Sequence, residues 1–461
     1  METVDDFMLN PIIEFPMGLG VVICVLMAAA CLWRVRAGVF LLLATVPLQR
    51  FIVIPGILGS RFTPHEAAFI CFLGAAIVRQ GRGIRLTRPW TSPIAAPLLL
   101  LLSVSVLSLL GNPFAQFGIA EIVILAYLYL LLHLVLDIAA DERLATYAFQ
   151  CWYVIAGIFS ALSAAGGLLH LAGIPTFLMS GPRLVVTFFN PNQAGSFILA
   201  TVFLFLVRMT QSNVSRFKKL VNLGLLFCSV VGGYFMASRA ALLGAAAGLV
   251  MFLILRRVRV AAIAPIAAML IGGWFALSAF QKSNEADAKI YDNRYSEGVD
   301  VGSQSAQVRF ENWQTGVDAF ARSPIVGIGI GTLWLQTTSL SGESYQVHNT
   351  YLSFLGETGF LGFACLMAII GVVIREAFVG FRMARGSPYE SALAGLIPAF
   401  TALGVFNIFH YGIRARHLWV TMALIMAYRR LATRWHARMV TAPRTAAPQV
   451  GSVVPVSPRH A

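Results

Sequence analysis

The sequence has little charge. Asp, Glu, Lys and Arg make up 12% of its 461 residues, whereas hydrophobic residues make up 58%. A soluble domain carries about 25% charged residues, and the mean hydropathy of this chain is +0.77. The composition therefore excludes an ordinary soluble domain and predicts a polytopic membrane protein.

The first 16 residues have no basic side chain, although they carry Glu2, Asp5, Asp6 and Glu14. A secretory signal peptide begins with a basic stretch. The hydrophobic segment that follows is therefore expected to remain as a membrane span rather than to be cleaved.

Cysteine is also scarce, and the polar segments lack clusters of metal-binding residue types. Cysteine in an apolar run usually packs as a small hydrophobic side chain. The sequence therefore predicts no disulfide framework, no metal site and no cofactor. The six cysteines all lie in apolar runs: Cys24, Cys31, Cys71, Cys151, Cys228 and Cys365.

Acidic residues are outnumbered by basic ones, 20 to 34, which gives a net charge of +14. Most bases lie in every second loop between the apolar runs, on one side of the membrane, and in the C-terminal tail, as the positive-inside rule describes. This distribution indicates membrane topology and affinity for anionic lipid, and it argues against nucleic acid as a partner. It predicts a multi-pass membrane protein with a cytoplasmic C-terminus and an N-terminus on the far side of the membrane.

A membrane-spanning helix needs about 20 apolar residues. The apolar runs predict an all-α bundle of about 11–13 transmembrane helices, in one membrane domain over residues 1–435, followed by a disordered cytoplasmic tail at 436–461. The candidate spans are 17–33, 37–55, 64–78, 92–110, 118–136, 147–171, 191–208, 220–236, 239–255, 260–279, 350–374, 388–409 and 417–431.

Two polar segments interrupt this scaffold, at 181–192 and at 281–349, and both are predicted to face the far side of the membrane. Within the longer loop, Val308, Trp313, Val317 and Phe320 recur at helical spacing, which predicts a surface helix with one apolar face over 305–322. The polar set on this side is rich in arginine: Arg183, Asn190, Asn192, Ser238, Arg239, Arg294, Arg309, His348, Asn349, Glu357, His410, Arg414 and Arg416.

These residue types suit a phosphorylated substrate. The arginine fork donates two hydrogen bonds to phosphate oxygens and keeps its charge, and histidine can take a proton from a hydroxyl near neutral pH. Each residue also has an ordinary interpretation: Arg239 as an anchor at the lipid headgroups, His348 as a helix cap, and Asn190-Pro191-Asn192 as a helix start.

The order of the motifs is more specific than any one of them. It resembles the O-antigen ligase and O-antigen polymerase superfamily over about residues 180–375. The motifs are Arg183-x5-Phe189-Asn190-Pro191-Asn192, Ser238-Arg239-Ala240-Ala241-Leu242-Leu243, Arg309-x3-Trp313, Ser323-Pro324-Ile325-Val326-Gly327-Ile328-Gly329, and His348-Asn349-x-Tyr351-Leu352-x3-Gly356-Glu357-x-Gly359.

The resemblance implies a metal-independent membrane glycosyltransferase of surface-polysaccharide assembly, in the bacterial inner membrane and with its active site and the long polar loop on the periplasmic side. Its donor is an oligosaccharide on undecaprenyl diphosphate, and its acceptor is lipid A-core for a ligase or a lipid-linked repeat unit for a polymerase. The catalytic residues are then expected to be His348, Arg239 and Arg309. The expected substrate-binding residues are Arg183, Asn190, Asn192, Arg294, Asn349 and Glu357.

Two other function classes remain open at this stage. A flippase for lipid-linked oligosaccharide would carry polar residues through the middle of the membrane and often shows two related halves, whereas the charges of this chain gather at span ends. A non-catalytic scaffold of an export machine would not need the arginines and the histidine. Within the enzyme class the residues do not separate ligase from polymerase, and the variety of such polymerases slightly favours the latter.

Overall fold

The structure is a computed structural model, and it describes residues 12–54, 62–79, 86–181, 183–256, 304–336 and 347–441. Within them lie fourteen α-helices and two small two-stranded sheets, so the prediction of an all-α membrane protein is confirmed. The helices are α1 (Met17–Trp33), α2 (Val35–Ala44), α3 (Pro64–Val78), α4 (Ala95–Ser108), α5 (Ala115–Ile138), α6 (Glu142–Leu171), α7 (Pro191–Thr210), α8 (Arg216–Met236), α9 (Arg239–Arg256), α10 (Gln304–Arg322), α11 (Leu333–Gln336), α12 (Thr350–Ala384), α13 (Glu390–Phe406) and α14 (Arg416–Thr441).

The strands are short. The parallel pair is β1 (Ile13–Glu14) and β2 (Phe51–Ile52), and the antiparallel pair is β3 (Met179–Ser180) and β4 (Arg183–Leu184). The second pair forms a hairpin between α6 and α7, and it stands at the start of the first polar segment of the sequence.

Each predicted span except 260–279 coincides with a described helix, while 260–279 lies outside the described residues. Six helices of the described chain have both the length and the hydropathy to cross a membrane, namely α5 to α9 and α12. The helix found in the predicted span 37–55 is much shorter than that span, because α2 ends at Ala44 and Pro47 follows within one turn. The exact number of spans stays a prediction.

Polar side chains begin several helices by accepting hydrogen bonds from free backbone N–H groups. Thr63 and Glu66 form a capping box at α3, Asp141 caps α6, and Ser215 caps α8. At the other end of the chain, α14 continues through Thr441, so the first residues of the predicted disordered tail are helical and the remainder lies outside the described residues.

The contacts define two ends of the bundle. At one end, which we call the site end, Arg183 contacts Met236, and the backbone N–H of Arg50 donates to the carbonyl of Thr187. At the opposite end, which we call the basic end, Arg434 donates to the carbonyl of Ala140 at 2.9 Å, and Arg256 pairs with Glu390 at 3.3 Å.

Helix α12 is broken one quarter of the way along. Gly359 has φ 63° and ψ −168°, which no helix contains. The segment between α10 and α11 fills the break: Phe360 N–H donates to the Pro324 carbonyl at 2.8 Å, and Gly329 N–H donates to the Glu357 carbonyl at 3.0 Å. Backbone groups released at the break are therefore paired within the protein, as burial in a membrane requires.

Helix α10 coincides with the surface helix that is predicted over 305–322, and it packs on the first turns of α12. Its buried face differs from the prediction, because Asn312, Gly316 and Ala319 are buried whereas Val317 is 44% exposed. Small side chains at these positions let the two helix backbones approach closely. The larger Trp313 packs at the edge of the contact, with its ring 6.0 Å from that of Phe409.

Candidate functional site

Arg183 caps the site end of α8. Its Nε donates to the carbonyl of Met236 at 3.0 Å, and its Nη2 donates to Met236 at 2.7 Å and to Ala237 at 3.1 Å. The last carbonyls of a helix have no partner within it, and here the guanidinium supplies one. Ala237 itself has φ 47°, a left-handed conformation that turns the chain sharply into α9.

The other residues of the first polar segment gather at the same turn. Asn190 caps α7 by accepting the N–H of Asn192 at 2.7 Å, and Asn192 in turn accepts from Arg183 at 3.3 Å. Arg239 is the first residue of α9 and is half-buried. We call Arg183, Asn190, Asn192 and Arg239 the arginine junction. The N-termini of α7 and α9 lie there together with the Arg183 guanidinium, and Arg239 begins α9, which makes the junction suited to an anion.

His348 and Asn349 stand at the start of α12. Asn349 Oδ1 accepts from the N–H groups of Tyr351 and Leu352 at 2.9 and 3.0 Å, so Asn349 is an N-cap. His348 is half-buried with φ 49°, a conformation that non-glycine residues rarely adopt. Its ring stacks on the buried ring of His410, with centroids 5.7 Å apart and planes 9° from parallel.

The loop that carries His410 is fastened to α12. Thr350 Oγ1 donates to the carbonyl of His410 at 2.9 Å and accepts from the N–H of Gly412 at 3.0 Å. The backbone N–H of Thr350 also donates to Asn407 at 3.0 Å. The histidine stack is therefore part of one rigid unit. The sequence placed His410 in the polar set but gave no signal that it lies against His348.

Glu357 faces the glycine-rich segment rather than open solvent. Its Oε1 accepts from the N–H of Leu333 at 3.3 Å, and the side chain is 5% exposed. Beside it, the fully buried Glu121 of α5 pairs with Arg414 and accepts from the Tyr411 hydroxyl at 2.9 Å. Glu357, Tyr411 and Arg414 line a small pocket that also reaches Val347, the residue before His348. The contacts of Glu121 with Tyr411 and Arg414 connect α5 to the loop between α13 and α14.

Two hydrophobic grooves begin at the site end. The α9 groove lies between α7, α8 and α9, has a volume of about 340 Å³, and is lined by small residues that include Gly195, Gly233 and Ala241. It reaches Ser238, next to Arg239. The α12 groove has a volume of about 500 Å³ and runs from Thr350 and Asn407 to Phe378. It begins two residues from His348.

Two predicted site residues lie partly or wholly outside the described part of the structure. Arg309 lies in α10, which packs on α12, but its side chain lies outside the described part of the structure, and Arg294 lies wholly outside it. Among the described residues, no group of three or more His, Cys, Asp or Glu side chains is arranged to hold a metal ion.

Comparison with known proteins covers the second half of this site. Residues 223–367 match the family model described as O-antigen ligase. That range includes Arg239, Arg309 and His348, whereas Arg183, Asn190 and Asn192 lie before it. One similar protein is the exopolysaccharide production protein ExoQ of Rhizobium meliloti (strain 1021), which is 27% identical over 186 residues.

The match to ExoQ covers 34% of this chain and 42% of the relative, so the chain spans less than half of the length of the relative that it matches. The relative's name places it in exopolysaccharide production. The similarity of residues 223–367 to the O-antigen ligase family, and the similarity of the chain to a protein of exopolysaccharide production, agree with the order of the motifs, which resembles the O-antigen ligase and polymerase superfamily over about residues 180–375.

Proposed function

We propose that this protein transfers a glycan from undecaprenyl diphosphate to a sugar hydroxyl on the periplasmic face of the inner membrane, as an O-antigen or exopolysaccharide polymerase or an O-antigen ligase. The observation that carries the proposal is the arrangement of the site end. The arginine junction and the His348–His410 stack both lie there, and each stands at the mouth of a hydrophobic groove.

The arginines act on the donor. Arg239 and Arg309 bind the diphosphate through charge-assisted hydrogen bonds and stabilise the negative charge that develops on it as it leaves. Arg183 has a positioning role, because its Nε and Nη2 hold the turn from which Arg239 projects. The α9 groove, which opens beside Arg239, holds the donor's hydrocarbon chain.

His348 acts on the acceptor. The imidazole takes the proton of the acceptor hydroxyl as the hydroxyl oxygen attacks the anomeric carbon of the donor. The bond between that carbon and the diphosphate oxygen breaks, and undecaprenyl diphosphate leaves with the electron pair. Because diphosphate is already a good leaving group, cationic side chains are sufficient and no metal is required.

The distribution of basic residues supports a periplasmic orientation of the site end. The basic end carries Arg34, Arg143, Lys218, Lys219 and Arg385 in its short loops, and by the positive-inside rule it faces the cytoplasm. The site end then faces the periplasm, where lipid-linked glycans are available and nucleotides are not.

The test is a reconstituted assay. The purified protein in lipid nanodiscs receives lipid-linked repeat units, and mass spectrometry follows the products. His348→Ala is expected to lower the rate about 100-fold or more, as loss of a general base does, and Arg239→Gln is expected to do the same by leaving the diphosphate charge unpaired. His436→Ala, an exposed position at the basic end, is the matched control and is expected to keep full activity.

Normal transfer by His348→Ala would contradict the proposed mechanism. A wild-type protein that moves lipid-linked oligosaccharide between leaflets without forming new glycosidic bonds would instead be a flippase. Transfer that persists in excess chelator is expected, and its loss would show that a metal takes part.

A further inference from the structure

We propose that His410 is a positioning residue for His348: its ring lies flat against the His348 imidazole and fixes the plane in which that imidazole meets the acceptor hydroxyl. The inference rests on the proposed function, in which His348 takes the proton of that hydroxyl, and it brings a second histidine into the reaction. The sequence placed His410 among the polar residues of this side without a role. Three features of the site end support the assignment.

The first feature is the backbone on either side of His348. Val347 is 3% exposed and packs against Ala319 and Leu333, while Asn349 Oδ1 accepts from two N–H groups at the start of α12. These neighbours hold His348 at φ 49°, a conformation that persists only where the surrounding structure enforces it. The backbone is therefore fixed, but two side-chain bonds still rotate between it and the imidazole. Since a base takes a proton only within hydrogen-bond reach, the ring needs a support of its own.

The second feature is the contact between the two rings. Their centroids lie 5.7 Å apart and their planes are 9° from parallel, which is within the range of offset-stacked aromatic pairs. A flat contact opposes tipping of the His348 ring. It uses the ring faces, so it does not occupy the nitrogen lone pair, which lies in the ring plane and takes the proton. Exposure separates the two roles, because His348 is half-buried whereas His410 is 8% exposed.

The third feature is that His410 is itself held in place. Its ring lies 5.1 Å from that of Phe406, and its carbonyl accepts a hydrogen bond from Thr350 Oγ1 at 2.9 Å. Thr350 Oγ1 also accepts from the N–H of Gly412 at 3.0 Å, and the Thr350 N–H donates to the carbonyl of Asn407 at 3.0 Å. Because Thr350 belongs to the first turn of α12, one hydrogen-bonded unit carries both rings of the stack. A support that is locked in this way can hold a reacting group in a productive geometry.

The experiment separates the alignment of the base from the stability of the fold. Wild-type and variant proteins are compared in the reconstituted assay with two acceptors, the natural one and an analogue in which a thiol replaces the attacking hydroxyl. A thiol has a pKa of about 8.5, so at about pH 9 it is largely thiolate and needs no base. The thiolate attacks the anomeric carbon, a thioglycoside forms, and undecaprenyl diphosphate leaves with the electron pair. A variant that only misplaces His348 is therefore slow with the hydroxyl but not with the thiol.

His410→Ala is expected to lower kcat for the hydroxyl acceptor about tenfold, because misplacement of a reacting group by 1 Å can cost about 100-fold. The KM for the donor and kcat for the thiol acceptor are expected to stay unchanged. His410→Phe, which retains a flat ring, is expected to restore most of the hydroxyl rate. Thr350→Val removes the hydrogen bond to the His410 carbonyl and is expected to give a smaller defect of the same kind. It replaces His410→Ala, under the same criteria, if that variant does not fold.

Phe409→Ala is the matched control. Phe409 precedes His410 in the same loop, but its ring packs against that of Trp313 of α10, with centroids 6.0 Å apart. Its loss removes a packed ring from the loop without removing the stack, so any effect is expected to be equal for the two acceptors. His348→Ala, which lacks the base, is expected to be about 100-fold slower with the hydroxyl and to recover with the thiol.

An unchanged hydroxyl rate in a folded His410→Ala variant would overturn the inference. An equal loss with both acceptors would also overturn it, since His410 would then serve the fold alone. If His410→Phe were as slow as His410→Ala, the nitrogens of His410 rather than its flat ring would be required, and the proposed role would be wrong. Normal transfer to the hydroxyl by His348→Ala would instead count against the proposed function, so the two failures are distinct.

Discussion

Buried carboxylates at the site end form ion pairs with arginines that are far away in the sequence. Glu121 of α5 pairs with Arg414 and Tyr411, and Glu66 of α3 pairs with Arg416 at the start of α14. Burial, and then the neighbouring Glu121 and Glu357 carboxylates, raise the pKa of the Tyr411 phenol well above its ordinary value. Tyr411 therefore stays protonated and keeps donating to Glu121 throughout the pH range of an assay.

Replacing Glu121 is expected to loosen the loop that carries His410. Glu121→Gln leaves Arg414 without its ion-pair partner, and it is expected to lower the free energy of unfolding by about 1–3 kcal/mol. Thermal unfolding in detergent and the transfer rate would both be measured, and both are expected to fall. Glu311→Gln, an exposed acid on α10, is the control and is expected to be neutral. A Glu121→Gln variant with wild-type melting temperature would refute this role.

At the scale of elements, the break in α12 organises the site end. The segment from Pro324 to Gly329 occupies the break, and glycines allow the two chains to touch. A Cβ on Gly327 would lie 2.2 Å from the carbonyl carbon of Glu357, and a Cβ on Gly359 would lie 2.4 Å from the backbone of Ile325. Since the first part of α12 carries His348 and Asn349, the break sets the angle at which they are presented.

Gly359→Ala is expected to destabilise the protein and to abolish transfer. Its φ of 63° costs about 1–3 kcal/mol for a residue with a side chain, and the contact with Ile325 adds steric strain. Gly371→Ala in the same helix has no atom within 4 Å of the added Cβ. That control is expected to be neutral or slightly stabilising, because alanine favours a helix by about 0.5–1 kcal/mol over glycine. Equal melting temperatures for the two variants would argue against the role of the break.

At the scale of the whole molecule, the bundle divides its charges between its ends. The arginine junction and the histidine stack occupy one end, and most of the remaining bases of the described residues occupy the other. This asymmetry is the basis of the proposed orientation. In the proposed function, it places the reaction where lipid-linked substrates enter from the bilayer and their glycans stay in water.

The orientation is tested with single cysteines in a variant whose six native cysteines are replaced by alanine. In spheroplasts, a membrane-impermeant maleimide is expected to label Arg322→Cys at the site end and to leave His436→Cys at the basic end unlabelled until the membrane is permeabilised. Both positions are exposed, so both are accessible to the reagent from their own side. The reverse labelling pattern would place the site in the cytoplasm.

Much of the fold was predictable because a membrane helix is determined by its own stretch of sequence. A run of apolar residues between polar caps forms a helix whatever its neighbours are, so the bounds of α1 and α3 were predicted to the residue, and those of α7 and α9 to within two residues. The resemblance to the superfamily was visible for a related reason, since its motifs follow one another in a set order along the chain. The role of each motif residue stays a prediction. The hydrogen bonds by which the Arg183 guanidinium holds the end of α8 were not predicted.

The sequence alone determined the all-α membrane fold and the resemblance to the superfamily, and it selected the polar residues that are predicted to lie on one side of the membrane, because each depends on residue type and on spacing along the chain. Only the tertiary structure decided which of those residues meet. The stacking of His348 on His410, the pairing of Glu121 with Arg414, and the filling of the α12 break by residues 324–329 join distant parts of the chain. Such contacts arise from how the helices pack against one another, and no local sequence pattern predicts them.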